Sequence, residues 1–232
     1  MKAIHIAALA LAALLAACGT VQTRPTPLAR APEDFPAGVY AQAAAKGEAV
    51  YRIDTASSLV TFTVRRGGSL ARLGHDHVVA SRSVQGFVAP TQGRADLYLP
   101  LAELTVDEPT LRTEAGLDTQ PSAADIEGTR TNMLDKVLRV QEFPYALVQV
   151  RDVDADHPST GAVSITLLGT TRTSTVPLTL ATIQDGLRAT GSMTLKQSDF
   201  GIAPFSLLGG ALQVLDEFEL RFDIRARASM SP

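Results

Sequence analysis

Two histidines flank an aspartate in the stretch Leu73-Gly74-His75-Asp76-His77-Val78-Val79, within an otherwise apolar, β-rich region. Imidazole and carboxylate groups at this spacing suit a metal site or an acid/base pair. They equally suit a structural role, in which the side chains hydrogen-bond to backbone groups of a tight loop. The choice among these three interpretations depends on the rest of the chain.

A metal site would need more ligands than this stretch supplies, because closed zinc sites use three or four. In an extended segment, His75 and His77 share one face and Asp76 points the opposite way. A third ligand would have to come from an acidic residue elsewhere, and none stands at a diagnostic spacing: Asp54, Asp107, Glu108 and Asp199 are the candidates. We therefore predict no metal site.

Catalytic motifs are missing from the sequence as well. It contains no Gly-x-Ser-x-Gly, His-Glu-x-x-His or Cys-x-x-Cys, and a His-Asp pair without a nucleophile does not indicate an enzyme. We predict no catalytic residues and favour hydrogen bonding to the loop backbone next to Gly74. A metal-dependent or redox-linked periplasmic enzyme using His75 and His77 is the alternative.

Composition narrows the possible partners. The chain has 232 residues, a formal net charge of −3 and one cysteine. Interspersed charges without a Lys/Arg cluster argue against a nucleic-acid partner. A single cysteine forms no intramolecular disulfide, so the fold must be stabilised by packing.

The N-terminus predicts export and lipidation. Met1-Lys2 precedes an apolar run, too short to span a bilayer comfortably, that ends in Leu15-Ala16-Ala17-Cys18-Gly19. These last residues resemble the lipobox of bacterial lipoproteins, which implies a signal peptide at 1–17 and acylation of Cys18; ordinary cleavage leaving a free thiol is the alternative. Because Gly19 is not aspartate, we expect attachment to the outer membrane, facing the periplasm. Residues 18–46, rich in proline and alanine, are predicted to form a tether that ends in one or two helical turns.

Residues 47–229 are predicted to form one domain. Period-two alternation indicates eight or nine strands with one apolar face each, and Val50–Asp54 and Leu59–Arg65 suggest a first hairpin. Ser122, with Asp125 three residues later, begins one amphipathic helix that ends before Phe143-Pro144. The predicted fold is mainly β, a lipocalin-like antiparallel barrel of about eight strands with one accessory helix.

The inward positions of these strands are mostly Leu, Val and Ile. A barrel of this size is either filled by side chains or encloses one slender ligand. Burial contributes about 0.8 kcal/mol per CH₂ group, so a prenyl or acyl chain could enter without directional contacts. A structural envelope protein with a filled core is a third possibility.

Several short motifs, in order from Tyr51 to Ala228, resemble the YceI-like family of exported lipid-binding proteins. They are Tyr51-Arg52-Ile53-Asp54, Phe62-Thr63-Val64, Gly86-Phe87, Phe143-Pro144, Gly169-Thr170-Thr171 and Ser198-Asp199-Phe200-Gly201-Ile202. Leu73 to Val78, Val106-Asp107-Glu108-Pro109, Arg112 and Asn132-Met133-Leu134 are similar to one branch of that family. The resemblance implies a barrel that holds a polyisoprenoid chain, such as an isoprenoid quinone tail.

We therefore expect a lipid-anchored periplasmic binding or carrier protein for a long-chain apolar lipid, without catalysis and without a cofactor beyond a bound isoprenoid lipid or quinone. Its partners are that lipid and the membrane that holds the anchor. The ligand-binding residues, in the barrel interior or at its mouth, are predicted to be Phe62, Val64, His75, His77, Phe87, Leu97, Leu99, Phe200, Phe218 and Phe222.

Overall fold

The computed structural model describes residues 30–153 and 159–229, and this part of the chain is mainly β. Its α-helices are α1 (Ala37–Ala45), α2 (Pro109–Glu114) and α3 (Ala123–Asn132). Its strands are β1 (Tyr51–Ile53), β2 (Leu59–Gly67), β3 (His77–Ser81), β4 (Gln85–Ala89), β5 (Arg94–Pro100), β6 (Thr105–Val106), β7 (Tyr145–Arg151), β8 (Thr160–Leu167), β9 (Thr170–Ile183), β10 (Gly186–Lys196), β11 (Ser206–Leu207) and β12 (Leu212–Ala228). No α-helix in the described ranges is long and apolar enough to cross a membrane.

The strands close into an antiparallel barrel with eight strand positions, as the alternation predicts. Three of these positions are each occupied by two strands that follow one another: β1 with β2, β3 with β4, and β5 with β6. β7, β8, β9, β10 and β12 fill the other positions in chain order. β12 closes the ring, because its two edges pair with β10 on one side and with β1 and β2 on the other.

The predicted hairpin of the first two strands is wrong. Both β1 and β2 pair antiparallel with β12, so they run in the same direction. A short 3₁₀ turn at Thr55–Ser57 interrupts the strand without reversing it. Tyr51 pairs with Val88 of β4, whereas Val60 pairs with Ser81 of β3. The alternation could not reveal this, because an interrupted strand and a hairpin have the same pattern of side chains.

The predicted helix begins at the expected residue. The Ser122 hydroxyl accepts the Asp125 N–H, and the Asp125 carboxylate accepts the Ser122 N–H, which is a capping box. After α3 the chain continues as one π-helical turn, Met133–Val137. This turn packs into the main apolar core through Met133, Leu134 and Val137. The stretch before α3 contains β6 and α2.

The segment before residue 47 packs on the outside of the barrel. Tyr40 and Ala43 of α1 are buried together with Val50 and Ala89. The Tyr145 hydroxyl donates to the Arg30 carbonyl oxygen at 2.7 Å, so the chain contacts the barrel from its first described residue. The packed unit therefore begins earlier than the predicted boundary at residue 47. The predicted signal peptide and Cys18 lie outside the described residues.

Candidate functional site: an apolar cavity within the barrel

A cavity of about 500 Å³ lies inside the barrel. Alternating side chains point into it because the strand period is two. On β10 these are Leu187, Ala189 and Met193, and on β12 they are Leu220, Phe222, Ile224 and Ala226. A register shift between Val214 and Phe218 separates the beginning of β12 from this inward set.

The cavity wall is almost entirely hydrocarbon. Among the described residues that line it, only Tyr51, Arg94 and Thr182 carry side-chain oxygen or nitrogen atoms. The Arg94 guanidinium donates to the Asp96 carboxylate at 2.7 Å, so it already has a partner. The wall therefore has few groups that could orient a compact polar ligand, and it suits a long apolar one.

One end of the barrel is closed by core side chains. Phe200, in the 3₁₀ turn Ser198–Phe200, is 2 % exposed and belongs to the same apolar cluster as Leu134 and Leu138 near the end of the helix. Leu99 lines the cavity and belongs to this cluster too. At the other end the lining includes Pro90 and Gly93, beside the turn between β4 and β5.

The structure places four of the ten predicted ligand-binding residues on the cavity wall: Phe62, Leu97, Leu99 and Phe222. Phe200 lies in the core cluster at the closed end. Val64 and Phe218 are cross-strand neighbours outside the lining. Strands β7 to β9 also contribute to the wall, including Val148, Ile165 and Leu178, which were not among the predicted residues although they lie in alternating segments.

Phe87 requires a correction, because its ring lies on the outer side of the barrel. The next residue along β4, Val88, lines the cavity, so Phe87 points the opposite way. Its ring stacks on Tyr40 with centroids 5.3 Å apart and lies 6.3 Å from the ring of Phe35. The N-terminal segment thus covers the outer face of β4 at Phe87, a residue that was predicted to bind the ligand.

Beneath this segment lies Asp96, which is 1 % exposed although it alternates with the inward-facing Ala95 and Leu97 and so points to the outside of the barrel. Its carboxylate accepts hydrogen bonds from Tyr40 at 2.6 Å and from Arg94 and Arg151 at 2.7 Å each. Burial raises the pKa of Asp96, but these donors outweigh it and hold the pKa below its usual value. A charged cluster therefore fixes the N-terminal helix to the barrel.

His77 belongs to a second buried polar cluster and does not line the cavity. Its Nδ1 lies 2.6 Å from the Asp107 carboxylate. The other carboxylate oxygen of Asp107 accepts the Val78 N–H at 3.1 Å and Arg112 Nη1 at 2.6 Å. Arg112 also donates to the carbonyl oxygen of Asp76 at 2.8 Å. Asp107 and Arg112 are 3 % and 5 % exposed, so this network links the histidine loop to the segment before α2.

Hydrogen bonding sets the charge of that network. Burial raises the pKa of Asp107. The hydrogen bonds from His77, the Val78 N–H and Arg112 lower the pKa by more than burial raises it, so the net shift is downward. Asp107 is therefore an ionised carboxylate between two basic side chains.

Asp76 and His75, the remaining polar residues of the histidine stretch, differ in their contacts. Asp76 accepts the Arg66 N–H at 2.8 Å and pairs with the Arg65 guanidinium at 3.0 Å, so it bonds to backbone of β2 and not to the loop next to Gly74. The His75 Nδ1 is buried without a hydrogen-bond partner among the described residues. Its Nε2 lies 3.9 Å from the Asp125 carboxylate, and its ring centroid is 6.2 Å from that of His77.

Of the four acidic residues considered as a third metal ligand, Asp107 contacts His77. Asp54 pairs with Arg227, and Glu108 pairs with Arg82, both at 2.8 Å. Within residues 30–153 and 159–229, no group of three or more His, Cys, Asp or Glu residues is arranged to hold a metal ion.

Comparison with known proteins identifies the type of domain. A family model described as a YceI-like domain matches residues 51–226. A polyisoprenoid binding domain from Saccharophagus degradans, implicated in plant cell wall breakdown, is 14% identical with a TM-score of 0.57, covering 77% of this chain and 98% of its own. BcnA from Burkholderia cenocepacia is 17% identical with a TM-score of 0.54, covering 74% and 98%. At these identities the two structures show a shared fold. No functionally curated protein matches the sequence.

Proposed function

The chain belongs to the YceI-like family, and from its apolar cavity we propose that it binds a long-chain apolar lipid of the polyisoprenoid type inside the barrel. The observation that carries this proposal is a cavity of about 500 Å³ whose described lining has three polar side chains, Tyr51, Arg94 and Thr182. The similar fold of the Saccharophagus degradans domain, named for polyisoprenoid binding, supports the same ligand class.

Hydrophobic burial supplies enough energy for such a ligand. Each buried CH₂ group contributes about 0.8 kcal/mol, so ten such groups contribute about 8 kcal/mol before the costs of association. A compact polar molecule would lose its hydration in this cavity without finding hydrogen-bond partners. The wall therefore favours a hydrocarbon chain by its chemistry as well as by its shape.

We infer binding or carriage without catalysis. His77, Asp107 and Asp96 are engaged in structural hydrogen bonds and lie outside the cavity lining, and Arg94, which does line the cavity, is bonded to Asp96. In this proposal the protein is an outer-membrane lipoprotein held by acylated Cys18 and facing the periplasm. The lipobox-like sequence Leu15-Ala16-Ala17-Cys18 supports that location.

Lipid extraction tests the proposed ligand directly. Protein purified from its host without detergent is extracted with organic solvent, and the extract is quantified by mass spectrometry. We expect about one long-chain lipid per protein molecule. A folded sample that yields no such lipid contradicts the proposal.

A matched pair of variants ties the lipid to the cavity. Ala189→Phe fills the cavity from the middle of β10, whereas Thr190→Phe adds the same ring to the next residue, on the outer face. We expect the first variant to lose bound lipid and the second to retain it, with both remaining folded by circular dichroism. Equal retention by both variants would place the lipid outside the barrel.

A further inference from the structure

The wall of the barrel is incomplete between β9 and β10. Their pairing ends at Gly191 and Leu178, although β10 continues to Lys196 and β9 begins at Thr170. The next residue of β9 toward its N-terminus is Pro177, which has no N–H to donate to a ladder. Beyond it, the facing backbone groups of the two strands have no ladder partners across the gap.

This gap forms a slot with a volume of about 410 Å³. It is lined by Ser174, Thr175, Val176, Pro177, Ser192, Met193, Thr194 and Glu219. Val176 and Met193 also line the main cavity, so the slot and the cavity are separated by these two side chains. Methionine is unbranched and flexible, whereas valine is stiff. Of these two side chains, Met193 is therefore the one that can more readily change its rotamer.

The polar groups of the slot are mostly uncharged. Ser174, Thr175, Ser192 and Thr194 supply hydroxyls, each able to donate and accept a hydrogen bond. The carboxylate of Glu219 is paired with Arg221 at 2.8 Å. Among the described residues that line the slot, none is a lysine, arginine or histidine. Such a lining accommodates a neutral hydrogen-bonding group better than a phosphate, which requires cationic donors.

We propose that this slot is a polar subsite that receives the uncharged head group, an alcohol or a quinone carbonyl, of the lipid whose chain occupies the cavity. Met193 lies where the chain would pass from one space to the other. The inference rests on the proposed function, because it assigns the head group of that same ligand. This role accounts for the hydroxyl groups beside the gap between β9 and β10, where the interior of the barrel is otherwise apolar.

The test compares three C20 probes that share one isoprenoid chain: the hydrocarbon phytane, geranylgeraniol, and geranylgeranyl phosphate. Binding is measured for the full chain by competition against a fluorescent apolar probe. For the native protein we expect the alcohol to bind more tightly than the phosphate. In Thr194→Lys, a cation in the slot should shift the ratio of phosphate to alcohol affinity by at least about fivefold toward the phosphate.

Thr190→Lys is the matched control, because Thr190 lies on the outer face of the same strand but within the paired region, opposite Thr179. We expect its affinity ratio to equal that of the native protein. Phytane should bind all three proteins equally, since it has no head group. If phytane binds but both lysine variants show the native ratio, the head group lies elsewhere and the subsite is refuted. If none of the probes binds a folded protein, the proposed function itself fails.

Discussion

Asp107 provides the sharpest test of how the buried network stabilises this barrel. Its carboxylate accepts hydrogen bonds from His77, the Val78 N–H and Arg112, and it is 3 % exposed. Asp107→Ala would leave the Arg112 guanidinium buried without a counter-charge. Breaking a buried ion pair in this way costs about 3–5 kcal/mol of the free energy of unfolding. Since small domains are stable by about 5–15 kcal/mol, the loss would be a large part of the total.

The measurement is urea unfolding followed by circular dichroism, and the neighbouring residue provides the control. Glu108 also pairs with an arginine, Arg82, at 2.8 Å, but this pair is at the surface. Glu108→Ala should therefore cost less than about 1 kcal/mol. The double variant Asp107→Ala/Arg112→Met removes the orphaned charge and should recover part of the loss.

The comparison separates charge burial from a general effect of mutation in this segment. If Asp107→Ala lowers the free energy of unfolding no more than Glu108→Ala does, Asp107 and Arg112 do not form a buried charge pair in solution. If the double variant is as unstable as Asp107→Ala, the lost hydrogen bonds dominate over the unpaired guanidinium.

Four further predictions concern separate parts of the molecule. The pKa of Asp107 is lowered because the donors around it outweigh burial. Its contribution to the free energy of unfolding is therefore complete above the unfolded pKa of about 4 and is lost as the pH falls through the folded pKa. Between pH 5 and pH 3, urea titrations should show a larger decrease in the free energy of unfolding for the native protein than for Asp107→Asn. Tyr40→Phe removes a 2.6 Å hydrogen bond to buried Asp96 and should cost about 1.5–3 kcal/mol by the same method, whereas an unchanged midpoint would show that α1 is not fixed through this bond. Phe222→Asp places an unpaired charge in the apolar cavity and should lower the melting temperature markedly; a variant that melts like the parent would contradict the inward orientation of Phe222. Cys18→Ser should release the folded protein from the membrane fraction after cell fractionation, and persistent association would contradict acylation at Cys18.

Much of the barrel was predictable because each strand has one apolar face. Leu220, Phe222 and Ile224 alternate with charged residues along β12, and the structure places these three side chains on the cavity wall. The helix was predictable from a local signal, since the capping box of Ser122 and Asp125 involves residues three positions apart.

Other features depend on contacts that no local pattern records. Phe87 and Val88 are both apolar, and the sequence does not show which of them faces the cavity until the cover formed by Tyr40 is known. Asp96 stands at a position that alternation assigns to solvent, yet Arg151, distant in sequence, joins it in a buried cluster. These residues are brought together by the closure of the barrel.

The antiparallel, one-faced strands, the aliphatic interior and the start of the accessory helix are predictable from the sequence, because each depends on residues close together in the chain. The contact of His77 with Asp107 in the core, away from the ligand cavity, arises only in the folded barrel. The same holds for the end of the β9–β10 ladder at Gly191 and Leu178. Both outcomes depend on how distant segments meet when the ring of strands closes, and the free energy of that closure is a property of the whole barrel.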